Sequence, residues 1–83
     1  MKSPRLARRY ARALFTWGLE RQQAEALGEE LARLTAFLQE EEDLWERLHH
    51  PRIPAPEKKE FFRLHLQSRF PPVLLRFLEL LIE

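Results

Sequence analysis

The chain has 83 residues, of which 45% are hydrophobic and 33% are charged, and this composition predicts one small globular domain, not a disordered segment. It contains no cysteine, which argues against a small secreted domain held by disulfides and favours the cytoplasm. The formal net charge is +1, and no apolar run reaches the ~20 residues of a transmembrane helix.

The first predicted helix has Ser3 as its cap and runs from Pro4 to about Glu20. Serine is a favoured N-cap, and proline suits the first helical position, where its missing N–H costs nothing. At about 100° per residue, the apolar side chains fall on one broad face, formed by Leu6, Ala7, Tyr10, Ala11, Ala13, Leu14 and Trp17. We expect this face to pack against other helices.

Arginines occupy the opposite face of this helix, at Arg5, Arg8, Arg9 and Arg12. The simplest interpretation is a solvated surface. The same arrangement would also suit nucleic-acid phosphates, so a small, basic-faced helical nucleic-acid-binding domain is the alternative function. The chain as a whole is not strongly basic and has no turn-linked helix pair with polar base-reading residues, which disfavours that alternative.

The second predicted helix begins near Gln22 or Gln23 and resembles an outer wall with one apolar seam. The seam is formed by Leu27, Leu31, Leu34 and Leu38. Gly28 weakens the helix slightly, and we expect it to allow close contact with a neighbouring helix.

The third predicted helix is short and is centred on Leu44, Trp45 and Leu48. We interpret Trp45 as a core residue, and Pro51 ends the helix because the residue before a proline avoids the helical region. Glu46, His49 and His50 could reach one metal ion, but without a fourth ligand an exposed helix end is the better interpretation. The sequence has no phosphate-binding loop, zinc spacing or nucleophile motif, so it predicts neither catalytic residues nor a cofactor.

The fourth predicted helix starts at Pro56, after a proline-rich loop. Its apolar face is predicted to contain Phe61, Phe62, Leu64 and Leu66. His65 lies within that face and is interpreted as a packed or edge histidine, not as a catalytic base. The pair Pro71-Pro72 ends this helix and starts the fifth, which completes an all-α bundle of about five helices.

The fifth predicted helix, residues 73–83, has an unusually wide apolar surface. Its apolar side chains fill about 220° of the circumference, whereas a wall helix needs little more than about 100°. We therefore expect one apolar face in the core and a second that meets something else. Since the first helix also has a broad, shallow apolar face, the two together predict a groove for a third helix.

Three segments carry a family resemblance: "ARRYARALF" at residues 7–15, "PRIPAPEKKEFF" at residues 51–62 and "LLRFLELLIE" at residues 74–83. Together they resemble the bacterial delta subunit of F-type ATP synthase, a relative of the mitochondrial oligomycin-sensitivity-conferring protein. Arg9 departs from the family, which often has proline there. The resemblance implies that residues 1–83 are a single domain, the family's N-terminal helical bundle, without its sixth helix and C-terminal domain.

The resemblance also implies a function. Such a subunit is a non-catalytic stator of the peripheral stalk, cytoplasmic and peripheral to the inner membrane. It holds the catalytic head against the rotor by receiving the amphipathic N-terminal helix of an alpha subunit between its first and fifth helices. The stalk b subunit is expected to contact only the missing C-terminal part. Neither nucleic acid nor direct membrane insertion is expected, and self-association through an exposed fifth helix is a further expectation for a fragment.

Matching positions with the family assigns Tyr10 and Ala13 on the first helix and Leu80 on the fifth to the groove for the alpha subunit. Helix phase then adds Leu6, Trp17, Val73 and Phe77. The remaining apolar positions on these two helices are expected to face the core, and they are Ala7, Ala11, Leu14, Leu74, Leu78 and Leu81.

Overall fold

A computed structural model of the protein describes residues 4–83, which form five α-helices and no β-strand. The helices are α1 (Pro4–Glu20), α2 (Ala24–Glu40), α3 (Glu42–Leu48), α4 (Ala55–Leu66) and α5 (Pro72–Ile82). The predicted all-α bundle is therefore confirmed over this part of the chain. Ser3, the predicted cap of the first helix, lies outside the described residues. No helix within residues 4–83 has both the length and the apolar character needed to span a bilayer.

Prolines define where the last two helices begin. Pro54 and Pro71 are the N-cap residues of α4 and α5, and both have extended backbones, with ψ of 145° and 148°. Pro56 and Pro72 then lie in the first helical turns, where a proline's fixed φ and missing N–H are tolerated. The carbonyl oxygen of Pro71 accepts from the N–H groups of the third and fourth residues after it.

The core lies between the leucine seam of α2 and the inner face of α5. Leu66 at the end of α4 and Leu74 on α5 are both fully shielded from solvent. The other buried apolar residues are Leu14, Leu27, Leu34, Leu38, Leu44, Leu48, Phe62, Phe70, Phe77, Leu78 and Ile82. Full burial of one such side chain contributes about 1.5–3 kcal/mol, so this cluster is the main stabilising feature of a domain that has no disulfide.

α5 is the central helix of the bundle. It packs directly against α1 and α4, and it shares a cleft with α2 and α3. All of its apolar side chains are buried or half-buried, so most of its wide apolar surface is used within this chain. Four of its apolar residues stay partly accessible, with Val73 and Leu80 on one edge, Leu75 on the opposite edge and Leu81 in the cleft shared with α2 and α3.

Two predictions about individual packing positions are wrong. Trp45 is 37% exposed, because it lines an open cleft between α2, α3 and α5, where its ring contacts that of His49 in a tilted arrangement. Leu64 is 55% exposed, since it lies two residues and thus about 200° around the helix from buried Phe62. His65 is exposed near the end of α4, with its ring centre 4.1 Å from that of half-buried Phe61, so it takes the edge position, one of the two expected for it.

The expectation of a close helix contact at Gly28 is wrong as well, because an added Cβ there would meet open space. The close contact occurs at Gly18 instead. A Cβ at Gly18 would lie 2.7 Å from Leu27 Cδ1 and 3.2 Å from the Cα atom of Ala24. The end of α1 therefore packs directly onto the backbone at the start of α2.

Candidate functional site

The predicted groove residues of α1 form a partly accessible edge of that helix. Leu6, Tyr10 and Trp17 are half-buried, and Ala13 is exposed between them. The rings of Tyr10 and Trp17 also pack against the buried core. This edge is distinct from the side of α1 that holds buried Leu14, so the helix presents one buried face and one partly open apolar edge.

The predicted groove residues of α5 divide into two groups. Val73 and Leu80 are half-buried and lie on one edge of the helix. Phe77 is buried, and its ring lines a cleft of about 310 Å³ between α2, α3 and α5. The physical reason is helix phase, because four residues turn the side chain about 40° from Val73 towards the core-facing Leu74. Phe77 thus belongs to the core and not to the accessible edge.

Among the predicted core positions, Leu14, Leu74 and Leu78 are buried, whereas the other three are only half-buried. Those three are Ala7, Ala11 and Leu81. Leu81 lines the same cleft as Phe77, which contains side chains from three helices. The division between core and accessible edge is therefore clear at Leu14, Leu74 and Leu78 and gradual at the two alanines and Leu81.

One cleft brings α1 and α5 together. Trp17 of α1 and Val73 of α5 both line a depression of about 390 Å³, with Leu27 of α2 on its floor side. The remaining lining residues are Gln23, Ala26, Glu30, Pro71 and Pro72. The guanidinium of Arg21 lies 4.3 Å from the centre of the Trp17 ring, and it also donates to the Trp17 carbonyl oxygen at 3.2 Å. The tryptophan thus forms one wall of a mainly apolar depression and carries a cation on its face.

A tight turn at Gly18 determines where Trp17 sits. The Gly18 carbonyl oxygen accepts from the backbone N–H of Gln23 at 2.7 Å and from that of Arg21 at 3.2 Å. Gln22 takes a positive φ of 57°, a left-handed conformation that lets α2 start immediately after α1. The turn therefore holds the last turn of α1, and with it Trp17, against the first turn of α2.

The other side of the cleft is anchored by residues that the sequence analysis did not single out. Phe70 is buried just before Pro71 and meets Phe37 of α2 in an edge-on contact, with ring centres 5.9 Å apart. Arg33 of α2 lies over Phe70, 4.2 Å from the ring centre, and donates to the carbonyl oxygen of Arg69 at 2.6 Å. Phe70 could have been identified from the sequence, since it is an aromatic residue directly before the proline pair that breaks the helix. No sequence pattern pointed to Arg33.

The cleft that Trp17 and Val73 line is mainly apolar, and Glu30 is the one carboxylate among the described residues that line it. In residues 4–83, no three side chains of histidine, cysteine, aspartate or glutamate lie close enough to share a metal ion. Glu46 and His50 do not form such a group with His49, whose Nδ1 instead lies 2.9 Å from the carbonyl oxygen of Trp45. Most of the side chains that line the cleft are apolar, a composition that suits docking of an apolar surface.

Comparison with known proteins gives a family match. The family model described as the ATP synthase delta (OSCP) subunit matches residues 6–83. The chain is 36% identical to the ATP synthase subunit delta of Alkaliphilus metalliredigens over 78 residues, which cover 94% of this chain and 43% of that protein. It is 33% identical to the corresponding subunit of Clostridium acetobutylicum, over 94% of this chain and 44% of that protein.

A third relative covers the chain completely. The ATP synthase subunit delta of Syntrophomonas wolfei is 32% identical over all 83 residues, which correspond to 46% of that protein. The chain thus spans less than half the length of the curated relatives that it matches. No solved structure gives a significant match.

Proposed function

Since the chain belongs to the ATP synthase delta (OSCP) subunit family, we propose that it is a non-catalytic stator component in the peripheral stalk of an F-type ATP synthase. In this role it would be a cytoplasmic part of the complex, peripheral to the inner membrane. The proposal concerns the part of the subunit that these residues form, and contact with the stalk b subunit would involve the longer subunit's remaining part.

We propose further that the edge shared by α1 and α5 receives the amphipathic N-terminal helix of an alpha subunit. The observation that carries this proposal is the cleft that Trp17 and Val73 line together. Leu6, Tyr10 and Leu80 extend the same partly accessible apolar edge along both helices. An amphipathic helix that binds in a groove needs apolar contacts from both walls, and these residues would supply them.

The proposed role is mechanical, and the packing around the cleft suits it. Binding in a preformed groove loses less conformational freedom than binding on a mobile surface. The contacts of Arg33 with Phe70 and Arg69 hold the start of α5 against α2, while Gly18 holds the end of α1 there. Both walls are thus fixed to the same helix, which would keep the docked helix in one position under torque.

The experiment is a calorimetric titration of this protein with the N-terminal peptide of the alpha subunit from the same organism. We expect saturable binding by the unmodified protein. Ala13→Asp places a carboxylate in the centre of the α1 edge, and burying that charge should weaken binding at least about tenfold, equivalent to ~1.4 kcal/mol. Because Ala13 is exposed, the variant should keep its helical circular dichroism spectrum.

Ala36→Asp is the matched control, since Ala36 is an exposed alanine on α2, outside the cleft. It should bind the peptide like the unmodified protein. If both variants are folded and bind the peptide with equal affinity, the α1–α5 edge is not the docking site. An absence of binding by the unmodified protein would contradict the proposed partner itself.

A further inference from the structure

A second accessible surface lies on α1, away from the edge that packs beside α5. It is a single stripe of four exposed side chains at spacings of four, three and four residues, formed by Arg8, Arg12, Phe15 and Leu19, and we name it the outer stripe. Residues at these spacings lie one above the other on an α-helix. Phe15 is 51% exposed and Leu19 is 64% exposed, so the stripe is basic at one end and apolar at the other.

The arginines of this region have no acidic partner. Six ion pairs occur among residues 4–83, and their cations are Arg21, Arg33, Arg47, Lys59, Arg63 and Arg76. Arg5, Arg8, Arg9 and Arg12 therefore have no carboxylate within ion-pair distance in the part of the chain that the structure describes. Among the arginines of this chain, those on α1 form the largest unpaired group.

This charge arrangement disfavours α1 as an isolated helix. Arg8 and Arg12 are like charges four residues apart, as are Arg5 and Arg9, and such pairs repel on a helix surface. The first turn of α1 contains Arg5 and no acid, although the positive end of the helix dipole favours acidic residues there. Carboxylates supplied from outside the chain would relieve both effects.

The apolar end of the stripe has a shape that can receive a side chain. Phe15 lines a narrow depression of about 60 Å³ between α1 and α2. Gly28 forms part of its wall, and because glycine has no side chain the depression stays open. An aliphatic side chain that entered here would contact Phe15 on one side and Leu31 on the other.

We propose that the outer stripe binds an acidic amphipathic helix of another protein, with carboxylates against Arg8 and Arg12 and aliphatic side chains against Phe15 and Leu19. Charge complementarity identifies the acidic part of this partner, and the exposed apolar side chains identify the rest. The stripe lies apart from the cleft of Trp17 and does not depend on the proposed function, so both partners could bind at once.

A helix fits these observations better than a phosphate surface does. Glu25 and Glu29 of α2 are exposed and flank Gly28, which lies beside Phe15. These carboxylates would repel a nucleic-acid backbone or an anionic membrane at the apolar end of the stripe. A partner with acids at only one end avoids that repulsion, which is why we exclude a uniformly anionic surface from the proposal.

The test is an NMR titration of the ¹⁵N-labelled protein with a synthetic helical peptide that carries two glutamates and two leucines at the stripe's spacings. Two such peptides are made, one with the glutamates before the leucines and one with them after, because the orientation of the bound helix is not specified. A control peptide replaces both glutamates by lysine. We expect saturable shifts of the α1 amide signals with at least one glutamate peptide and about tenfold weaker binding of the lysine peptide.

Paired variants identify the surface. The double variant Arg8→Glu with Arg12→Glu should weaken binding of the glutamate peptide about tenfold, whereas Arg52→Glu, a charge reversal on an exposed loop arginine, should not. Leu19→Ser should weaken binding, whereas Leu64→Ser, with a similarly exposed leucine on α4, should not. Leu19 is the more exposed of the two apolar stripe residues, so this variant should remain folded.

Several results would overturn the proposal. One is the absence of saturable binding by both glutamate peptides, and another is an equal effect of the stripe variants and their controls. A third is tighter binding of α1 to a 20-base-pair DNA duplex or to phosphatidylserine vesicles than to the glutamate peptide. Such a preference would assign the arginines to phosphate groups instead of carboxylates.

Discussion

The ammonium group of Lys58 lies 3.0 Å from the carbonyl oxygen of Leu48, so a lysine of α4 caps the last residue of α3. The same group donates to the carbonyl oxygen of His50 at 2.9 Å. Lys58 is only 7% exposed and is the buried charged residue among residues 4–83. Carbonyl groups at a helix C-terminus carry partial negative charge, which explains how a lysine is accommodated beside the apolar core.

Lys58→Met should lower the free energy of unfolding by about 1–3 kcal/mol, because it keeps most of the aliphatic chain but leaves two carbonyl groups without their donor. Urea unfolding monitored by circular dichroism measures this. Lys59→Met is the matched control, since Lys59 makes an ion pair of 3.0 Å with the partly exposed Glu83. The control should change stability by less than about 1 kcal/mol. Equal losses of unfolding free energy in the two variants would show that the capping of α3 by Lys58 does not stabilise the fold.

The two glycines should respond in opposite directions to alanine. Gly18→Ala would bring a methyl group 3.2 Å from the Cα atom of Ala24, which cannot move aside as a side chain can, and should destabilise the fold by about 1–2 kcal/mol. Gly28→Ala meets open space in the middle of α2 and should stabilise it by about 0.5–1 kcal/mol. Thermal unfolding of both variants tests this pair, and a stabilised Gly18→Ala would contradict the close packing of α1 on α2.

The contacts of Arg33 should depend on its planar guanidinium group and not only on its charge. Arg33→Lys keeps the charge but loses the stacking on Phe70 and the alignment towards the carbonyl oxygen of Arg69, and should cost about 1 kcal/mol of stability. Arg63→Lys is the control, because Arg63 pairs with Glu60 on the same exposed helix surface. Denaturant unfolding should give no measurable loss for the control. Comparable losses would mean that the anchor of α5 does not depend on Arg33.

The sequence predicted the helices well because local signals decide them. Prolines indicated where α4 and α5 begin, and the four leucines of the seam indicated which side of α2 packs inward. The all-α bundle and the family membership follow from such patterns and from the quoted motifs. Helix phase was less exact on α1 and α5, since Phe77 is buried although it was predicted for the groove, and Ala7, Ala11 and Leu81 are only half-buried although they were predicted for the core.

The remaining features depend on which helices become neighbours, and a helical wheel contains no such information. The wide apolar surface of α5 is explained by its central position, because other helices surround most of its circumference. The exposure of Phe15 and Leu19 could not be predicted from α1 alone, because it depends on which side of α1 the other helices cover. Lys58 and Arg33 act across the chain on backbone carbonyl groups, which no residue pattern specifies.

Trp17 should report binding of the alpha-subunit peptide, since it forms a wall of the proposed docking cleft. The chain has two tryptophans, so Trp45→Phe leaves Trp17 as the single emitter. On peptide binding, the Trp17 indole should lose contact with water and its fluorescence should shift to shorter wavelength. In the reciprocal variant, Trp17→Phe, the remaining Trp45 should not respond, because it lies in the separate cleft between α2, α3 and α5.

The pair of variants also distinguishes between the two apolar clefts of the bundle. The cleft beside Trp45 contains Phe77 and Leu81, so a partner that entered there would shift the emission of Trp45 and leave that of Trp17 unchanged. That outcome would move the docking site to the other side of α5. A response from Trp17 alone, lost in Ala13→Asp, would tie the peptide to the edge where α1 and α5 meet, because Ala13 lies one turn before Trp17 on α1.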